Sequence, residues 1–180
     1  MRNNLRNKNL IIHISHTDIR FDSRILKELE SLNKLQNKTI KAFGIWDKIN
    51  NNKNYQEAKS SIKTFRIKTK NLTFLPRIFL YTLNFIEANI IFTFKLLLLR
   101  PEIIHCHDTL LLPSAIINHA IFGSLIIYDA HELESNKNGQ SLVLSKVSLF
   151  IEKLSWPSIS LLISVSESIV NWYIYHLGYK

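Results

Sequence analysis

Residues 103–132 read Ile-Ile-His-Cys-His-Asp, then Thr-Leu-Leu-Leu-Pro-Ser-Ala-Ile-Ile-Asn-His-Ala-Ile-Phe-Gly-Ser, then Leu-Ile-Ile-Tyr-Asp-Ala-His-Glu. Residues 103–106 and 125–128 are short runs without clean polar alternation, as strands covered on both faces require, and residues 110–122 between them suit a helix. Strands separated by helices in this way indicate a parallel sheet with a helical layer on each side.

The same alternation extends in both directions. Residues 10–14 make a first strand, and Ile25, Leu29 and Leu32 follow at helical spacing with Asp22 or Ser23 as N-cap. Residues 39–46 make a second strand and 61–67 a third, separated by an Asn- and Lys-rich stretch, 49–59, that suits a solvated loop or short helix. A long helix is expected over 78–99. Val143, Val147, Phe150 and Leu154 stand at i, i+4, i+7 and i+11, which predicts one buried helical stripe ended by Pro157. Residues 159–163 form the last strand; Ser164 and Glu167 suit a capping box, and Gly178 a C-terminal cap. The expected fold class is α/β, a Rossmann-like three-layer α/β/α sandwich with a mostly parallel sheet.

Composition bounds the rest. The chain of 180 residues, 46% apolar and 21% charged, fits a single domain with one sizeable core. Twenty-three Lys and Arg against 14 Asp and Glu give a net charge of +9, a bias toward phosphates, acidic lipids or nucleic acid. The basic residues are dispersed without aromatic platforms, so nucleic acid is not an expected partner. Cys106, the single cysteine, excludes an internal disulfide and fits a reducing, cytoplasmic compartment. The apolar run 10–14 is too short for the core of a signal peptide. Residues 78–99 have the roughly 20-residue length of a membrane span. Arg77, Asn84 and Lys95, however, share one stripe with Glu87 beside it, so the helix reads as amphipathic. A core helix, a helix in the membrane interface with Arg77, Lys95 and Arg100 near headgroups, and a true span all stay open.

In parallel sheets, ligands bind beyond the carboxyl ends of the strands. Four such ends are polar here: Ser15-His16-Thr17-Asp18, His105-Cys106-His107-Asp108, Asp129-Ala130-His131-Glu132 and Ser164-Val165-Ser166-Glu167. His105 reads as a hydrogen-bonded core residue, while His107 and Asp108 stand at the strand end. His131 is the leading single candidate, since an imidazole there could hydrogen-bond a sugar hydroxyl or a leaving group. Residues 15–21 hold no glycine, which excludes the usual dinucleotide-binding turn. Arg20 or Arg24 could steady a phosphate at the first helix. The H-x-H-D and D-x-H-E pairs also suit a metal hydrolase, but no third His/Cys cluster with ligand spacing follows, so no metal ligand is assigned.

Taken in order, Asp22-Ser23-Arg24-Ile25-Leu26-Lys27-Glu28-Leu29, Arg100-Pro101-Glu102-Ile103-Ile104-His105-Cys106-His107-Asp108, Tyr128-Asp129-Ala130-His131-Glu132 and Ile163-Ser164-Val165-Ser166-Glu167 resemble the N-terminal domain of glycosyltransferase family 4 over nearly the whole chain. The resemblance implies one half of a GT-B fold: the acceptor side of a retaining, metal-independent transferase. Such an enzyme uses a nucleotide-sugar donor and a glycan or lipid-linked acceptor, with no further cofactor. By that likeness His131 matches the histidine near the donor sugar and reaction centre. Asp108 and the loop holding His16 and Asp18 match the acceptor wall, and Arg24 matches a motif position at the first helix. Ser166 and Glu167 match the start of a helix facing the interdomain cleft, and His107 and Glu132 complete the substrate-binding set.

Two departures stand out. The loop from Ser15 to Asp18 replaces the Gly-Gly turn that approaches donor phosphates in many relatives, and no donor-binding domain follows by Lys180. The expectation is therefore a chain with little transferase activity alone, either a truncated gene or fragment or one completed by a separate donor-binding polypeptide. Its place would be cell-envelope or polysaccharide assembly at the cytoplasmic face of an anionic membrane. The alternative is a non-catalytic binding or scaffold domain of the same fold.

Overall fold

The computed structural model describes residues 6–47, 61–72, 74–133 and 142–179. Strands β1 (Asn7–Ile14), β2 (Thr39–Ile45), β3 (Ser61–Phe65), β4 (Pro101–Cys106), β5 (Leu125–Ala130) and β6 (Ile159–Ser164) interleave with helices α1 (Ser23–Leu32), α2 (Arg77–Leu99), α3 (Leu112–Phe122), α4 (Leu142–Ser155) and α5 (Glu167–Leu177). The strands form one sheet in the order β3-β2-β1-β4-β5-β6, and each neighbouring pair is parallel. The chain builds outward from β1 to β3, then returns to place β4 beside β1. That reversal opens a crevice at the carboxyl ends of β1 and β4.

Successive strand residues enter opposite cores, as the pleat requires. Leu10, Ile12 and Ile14 of β1 pack with Ala88, Phe92 and Leu96 of α2, Leu112 and Ala115 of α3, Ile151 of α4 and Tyr173 of α5. Ile11, with Ile40 and Ala42 of β2, packs on Ile25 and Leu29 of α1 across the sheet. The α/β sandwich expected from the apolar runs is therefore present. Stretch 49–59 lies outside the described residues.

Two local features seat the β1 loop. Asp22 caps α1, its side chain accepting from the amides of Arg24 and Ile25. A Cβ on Gly44 would stand 2.6 Å from the Thr17 carbonyl oxygen, the same oxygen that accepts the Ile45 amide at 2.9 Å. Only glycine leaves room for the loop to lie on β2.

Two expectations need correction. The stripe Val143, Val147, Phe150 and Leu154 faces outward, with Phe150 66% exposed, and α4 instead buries Ser148, Ile151, Glu152 and Ser155. The small serines permit close approach, and Glu152 finds hydroxyl partners inside, so polar pairing overrides the apolar pattern. The α5 cap is Ser166, which accepts from the Ile169 amide, whereas Ser164 ends β6 and donates to the Ala130 carbonyl. Gly178 does terminate α5, its amide bonding the Ile174 carbonyl.

Helix α2 is half packed. Ala88, Phe92 and Leu96 are buried, while Ile78, Phe79, Ile86, Ile90, Phe94 and Leu98 are exposed. Its polar stripe docks on the turn Lys68–Asn71. Glu87 accepts from the Lys68 and Thr69 amides at 2.9 and 2.8 Å, and Asn84 accepts from the Thr69 hydroxyl at 2.7 Å. Its length and mean hydropathy of 1.5 would suffice to cross a bilayer, but the helix is built into the sheet's core through one face.

Candidate functional site

The crevice between β1 and β4 is closed by one carboxylate. Asp108 Oδ2 accepts from the Ser15 hydroxyl at 2.8 Å and the His16 amide at 2.6 Å, and Oδ1 lies 2.5 Å from His16 Nδ1. Burial opposes the charge on Asp108, but the His16 imidazole and these hydrogen bonds prevail and hold its pKa below the usual carboxylate range. His16 remains 40% exposed along its side chain and faces outward. Beside it, a cleft of about 510 Å³ is lined by residues including His16, Asp18, Asp22, Asp47 and Lys70.

Asp18 is committed to the loop itself. Its oxygens take Arg20 Nε at 2.9 Å and Nη2 at 2.7 Å, and also accept the Asp47 amide at 3.1 Å. Burial would raise its pKa, yet these partners lower it. Of the two arginines considered for a phosphate, Arg20 is thus engaged by Asp18. Arg24 is more exposed, with Nη2 3.5 Å from Asp22 Oδ2.

A second network lies on the α1 side of the sheet. Asp129, at the end of β5, places Oδ2 3.0 Å from His131 Nε2 and 3.2 Å from His107 Nδ1. Burial of Asp129 disfavours its charge, but hydrogen bonds from both histidines dominate and hold its carboxyl well below the ordinary range. The bond to Asp129 in turn raises the pKa of His131, and Asp22 adds to that effect while burial and Arg24 oppose it. His131 is therefore a partly exposed imidazole biased toward its cationic, donor form at the rim.

Behind it stand three stacked histidines. His13 and His105 are register partners on β1 and β4, and the His105 and His107 rings lie 4.3 Å apart. Burial, then neighbouring imidazoles, holds His13 well below its usual pKa and lowers His105 to about 3. Glu28 of α1 points among them, its pKa raised chiefly by burial. The groups His13, Glu28, His105, His107 and His107, Asp129, His131 each bring ligand-type atoms within 4.8 Å of one another.

The parallel sheet places the ends bearing His16, Asp108, His131 and Ser166 on one edge. Side-chain contact is narrower: His16 meets Asp108, and His131 meets His107 through Asp129. His107 is buried, Glu132 is exposed beside His131, and Ser166 is half-buried at the α5 cap. Sequence reasoning passed over His13 and Glu28. Glu28 had a readable signal, since it sits three residues after Ile25 and one before Leu29 on the inward stripe of α1.

No protein-family model matches this chain, and no curated protein matches it in sequence. Its fold has clear counterparts. A solved structure of sucrose-phosphate synthase from Thermosynechococcus elongatus superposes with TM-score 0.67 at 15% identity, over 95% of this chain and 46% of that one. The fold is similar to that of part of this synthase. A second, shorter structure of the same enzyme gives TM-score 0.64 at 15% identity, covering 94% of this chain and 83% of the other. The chain thus spans less than half the length of the longer synthase structure.

Proposed function

We propose that this chain is the acceptor-side domain of a retaining glycosyltransferase of family 4 type. It would use a nucleotide-sugar donor without metal at the reacting atoms, in glycan assembly at the cytoplasmic membrane surface. The observation that carries the reading is the rim pair His131–Asp129 at 3.0 Å, on a fold shared with sucrose-phosphate synthase. In this reading His131 is the catalytic group. Its donor-form imidazole, held by Asp129, meets a sugar hydroxyl or the charge growing on a departing phosphate. His16 and Asp108 form the acceptor wall, Asp18 fixes the loop behind them, and Arg24, Glu132 and Ser166 reach in from the edge. His107 acts from within by holding Asp129.

The experiment is a titration of the purified chain with a glycan and lipid-linked acceptor panel, read from the imidazole proton resonances. A cognate acceptor is expected to shift His16 and His131 first. In a polypeptide joining this domain to a donor-binding domain, His131→Ala should cut turnover by about 100-fold while circular dichroism stays unchanged. Unchanged turnover, or acceptor shifts confined to residues away from this edge, would overturn the assignment.

Membrane association is part of the same proposal. The exposed apolar face of α2, flanked by Arg77 and Arg100, and the net charge of +9 support it. Cosedimentation with anionic vesicles should exceed that with neutral vesicles several-fold and fall with salt. Equal recovery with both would remove the membrane from the reading.

A further inference from the structure

We propose that His13, His105, His107 and Glu28 form a binding site for one divalent metal of the zinc class, which clamps α1 onto the sheet. The inference does not rest on the sugar-transfer reading.

The fold dictates the convergence. His13 pairs in register with His105, and His107 follows two residues on, so all three lie on the sheet face that carries Ile11 and Ile103. Glu28 projects from the face of α1 that buries Ile25 and Leu29. Three imidazoles and a carboxylate thus share a layer with Ile11, Ile25 and Leu29.

Four ligand atoms surround one point. Glu28 Oε2 lies 4.0 Å from His13 Nδ1, 3.7 Å from His105 Nδ1 and 3.9 Å from His107 Nε2, and His13 Nδ1 is 3.0 Å from His107 Nε2. A tetrahedral zinc ion with bonds of about 2.0–2.1 Å holds its ligand atoms roughly 3.3 Å apart. Contraction by about half an ångström along the three edges to Glu28 would bring those edges to that spacing, and all four ligand atoms already lie within 4.8 Å of one another. As it stands, Glu28 Oε2 is buried and has no hydrogen-bond partner among the described residues. Unpaired buried acceptors of this kind are costly, and a cation would satisfy it.

The surrounding groups suit the role. Asp129 accepts from His107 Nδ1 at 3.2 Å, which leaves the lone pair of His107 on Nε2, facing the cluster. A carboxylate behind a ligating histidine is the usual outer support of a metal site. His13 and His105 are buried in the layer, and neutral imidazole is the form that binds metal. Three nitrogens and one oxygen, without thiolate, favour zinc among abundant divalent ions, and four protein ligands leave no open position for a reacting group. The site is structural, and His131 bonds Asp129 rather than a ligand of the cluster. The short spacing of H-x-H hid the set, since His13 stands 94 residues from His107 in sequence.

The test uses tag-free protein stripped with EDTA and titrated with Co²⁺, then Zn²⁺. The expected result is one equivalent of cobalt with the intense visible bands of four-coordinate geometry, displaced by zinc, and a melting temperature that rises with zinc. Glu28→Gln, which preserves shape at a half-exposed position, and His105→Gln should each weaken zinc binding about tenfold or more and erase the thermal shift. His119→Gln and His176→Gln should change neither. No stoichiometric binding, an octahedral cobalt spectrum, or binding indifferent to Glu28→Gln would overturn the site. Acceptor titration of the metal-free chain reads the sugar-transfer proposal separately, so failure of one leaves the other standing.

Discussion

Glu152→Ala is expected to destabilise the fold by about 3–5 kcal/mol, the cost of removing one partner from a buried charged network. Glu152 is fully buried on α4, and its Oε1 accepts from the Tyr173 hydroxyl at 2.6 Å, the Tyr128 hydroxyl at 3.0 Å and the Thr109 hydroxyl at 3.2 Å. These partners come from α5, β5 and the turn Thr109–Leu111, so one carboxylate ties together four parts of the chain. Alanine would strip three hydroxyls of their shared acceptor and leave a void where the carboxylate stood, while the Thr109–Tyr128 hydroxyl contact at 2.7 Å recovers part of the loss. Against a typical total of about 5–15 kcal/mol, that is a large fraction. Glu152→Gln keeps an acceptor at nearly the same place and should lose only about 1–2 kcal/mol. Urea unfolding of the three proteins measures the ladder. An alanine variant within about 1 kcal/mol of the parent would show that the network adds little to stability.

The same residue shows why parts of the structure escaped the sequence. Helix positions, strand order of appearance and the polar strand ends were legible because periodicity and caps act locally: Asp22 and Gly178 terminate helices as their chemistry suggests. The inward face of α4 was not legible. Its most apolar stripe, from Val143 to Leu154, is outside, and Glu152 is inside because Tyr128 and Tyr173 await it from 24 and 21 residues away. Ser164 and Ser166 differ as caps by where β6 ends, which the pairing of Ser164 with Ala130 decides. The site divided in the same manner. The ends bearing His16, Asp108 and His131 could be placed on one edge from the strand pattern, but the commitment of Asp18 to Arg20 and the approach of His13 to His107 depend on side-chain packing and long-range register.

Metal-free protein should lose stability steeply as pH falls from neutrality toward about 5, and the histidine layer sets the sign. His105 in the folded chain titrates at about 3 and His13 well below its usual value, each chiefly through burial. Unfolded, both should titrate near 6.5. Between the folded and unfolded values the unfolded chain therefore binds protons that the folded chain refuses, and the free energy of unfolding rises with pH. Each such histidine contributes a limiting slope of about 1.4 kcal/mol per pH unit, so two remove about 4 kcal/mol between pH 7 and 5. Four neighbours modify the curve. His131, its pKa raised by Asp129, contributes stability that is full below its unfolded pKa and fades as pH climbs through the folded one. Asp129 and Asp108, both lowered, contribute above the unfolded carboxylate value and lose that contribution only as pH falls below it. Glu28, raised mainly by burial, adds a smaller pull in the same direction as His131. The acid limb between pH 6.5 and 5 thus belongs to His13 and His105. Urea midpoints taken in EDTA across pH 5 to 8 should trace it, and His105→Phe, which cannot take a proton, should roughly halve its slope. A flat profile down to pH 5, or a slope that His105→Phe leaves intact, would mean that these imidazoles accept protons in the folded state as readily as in the unfolded one.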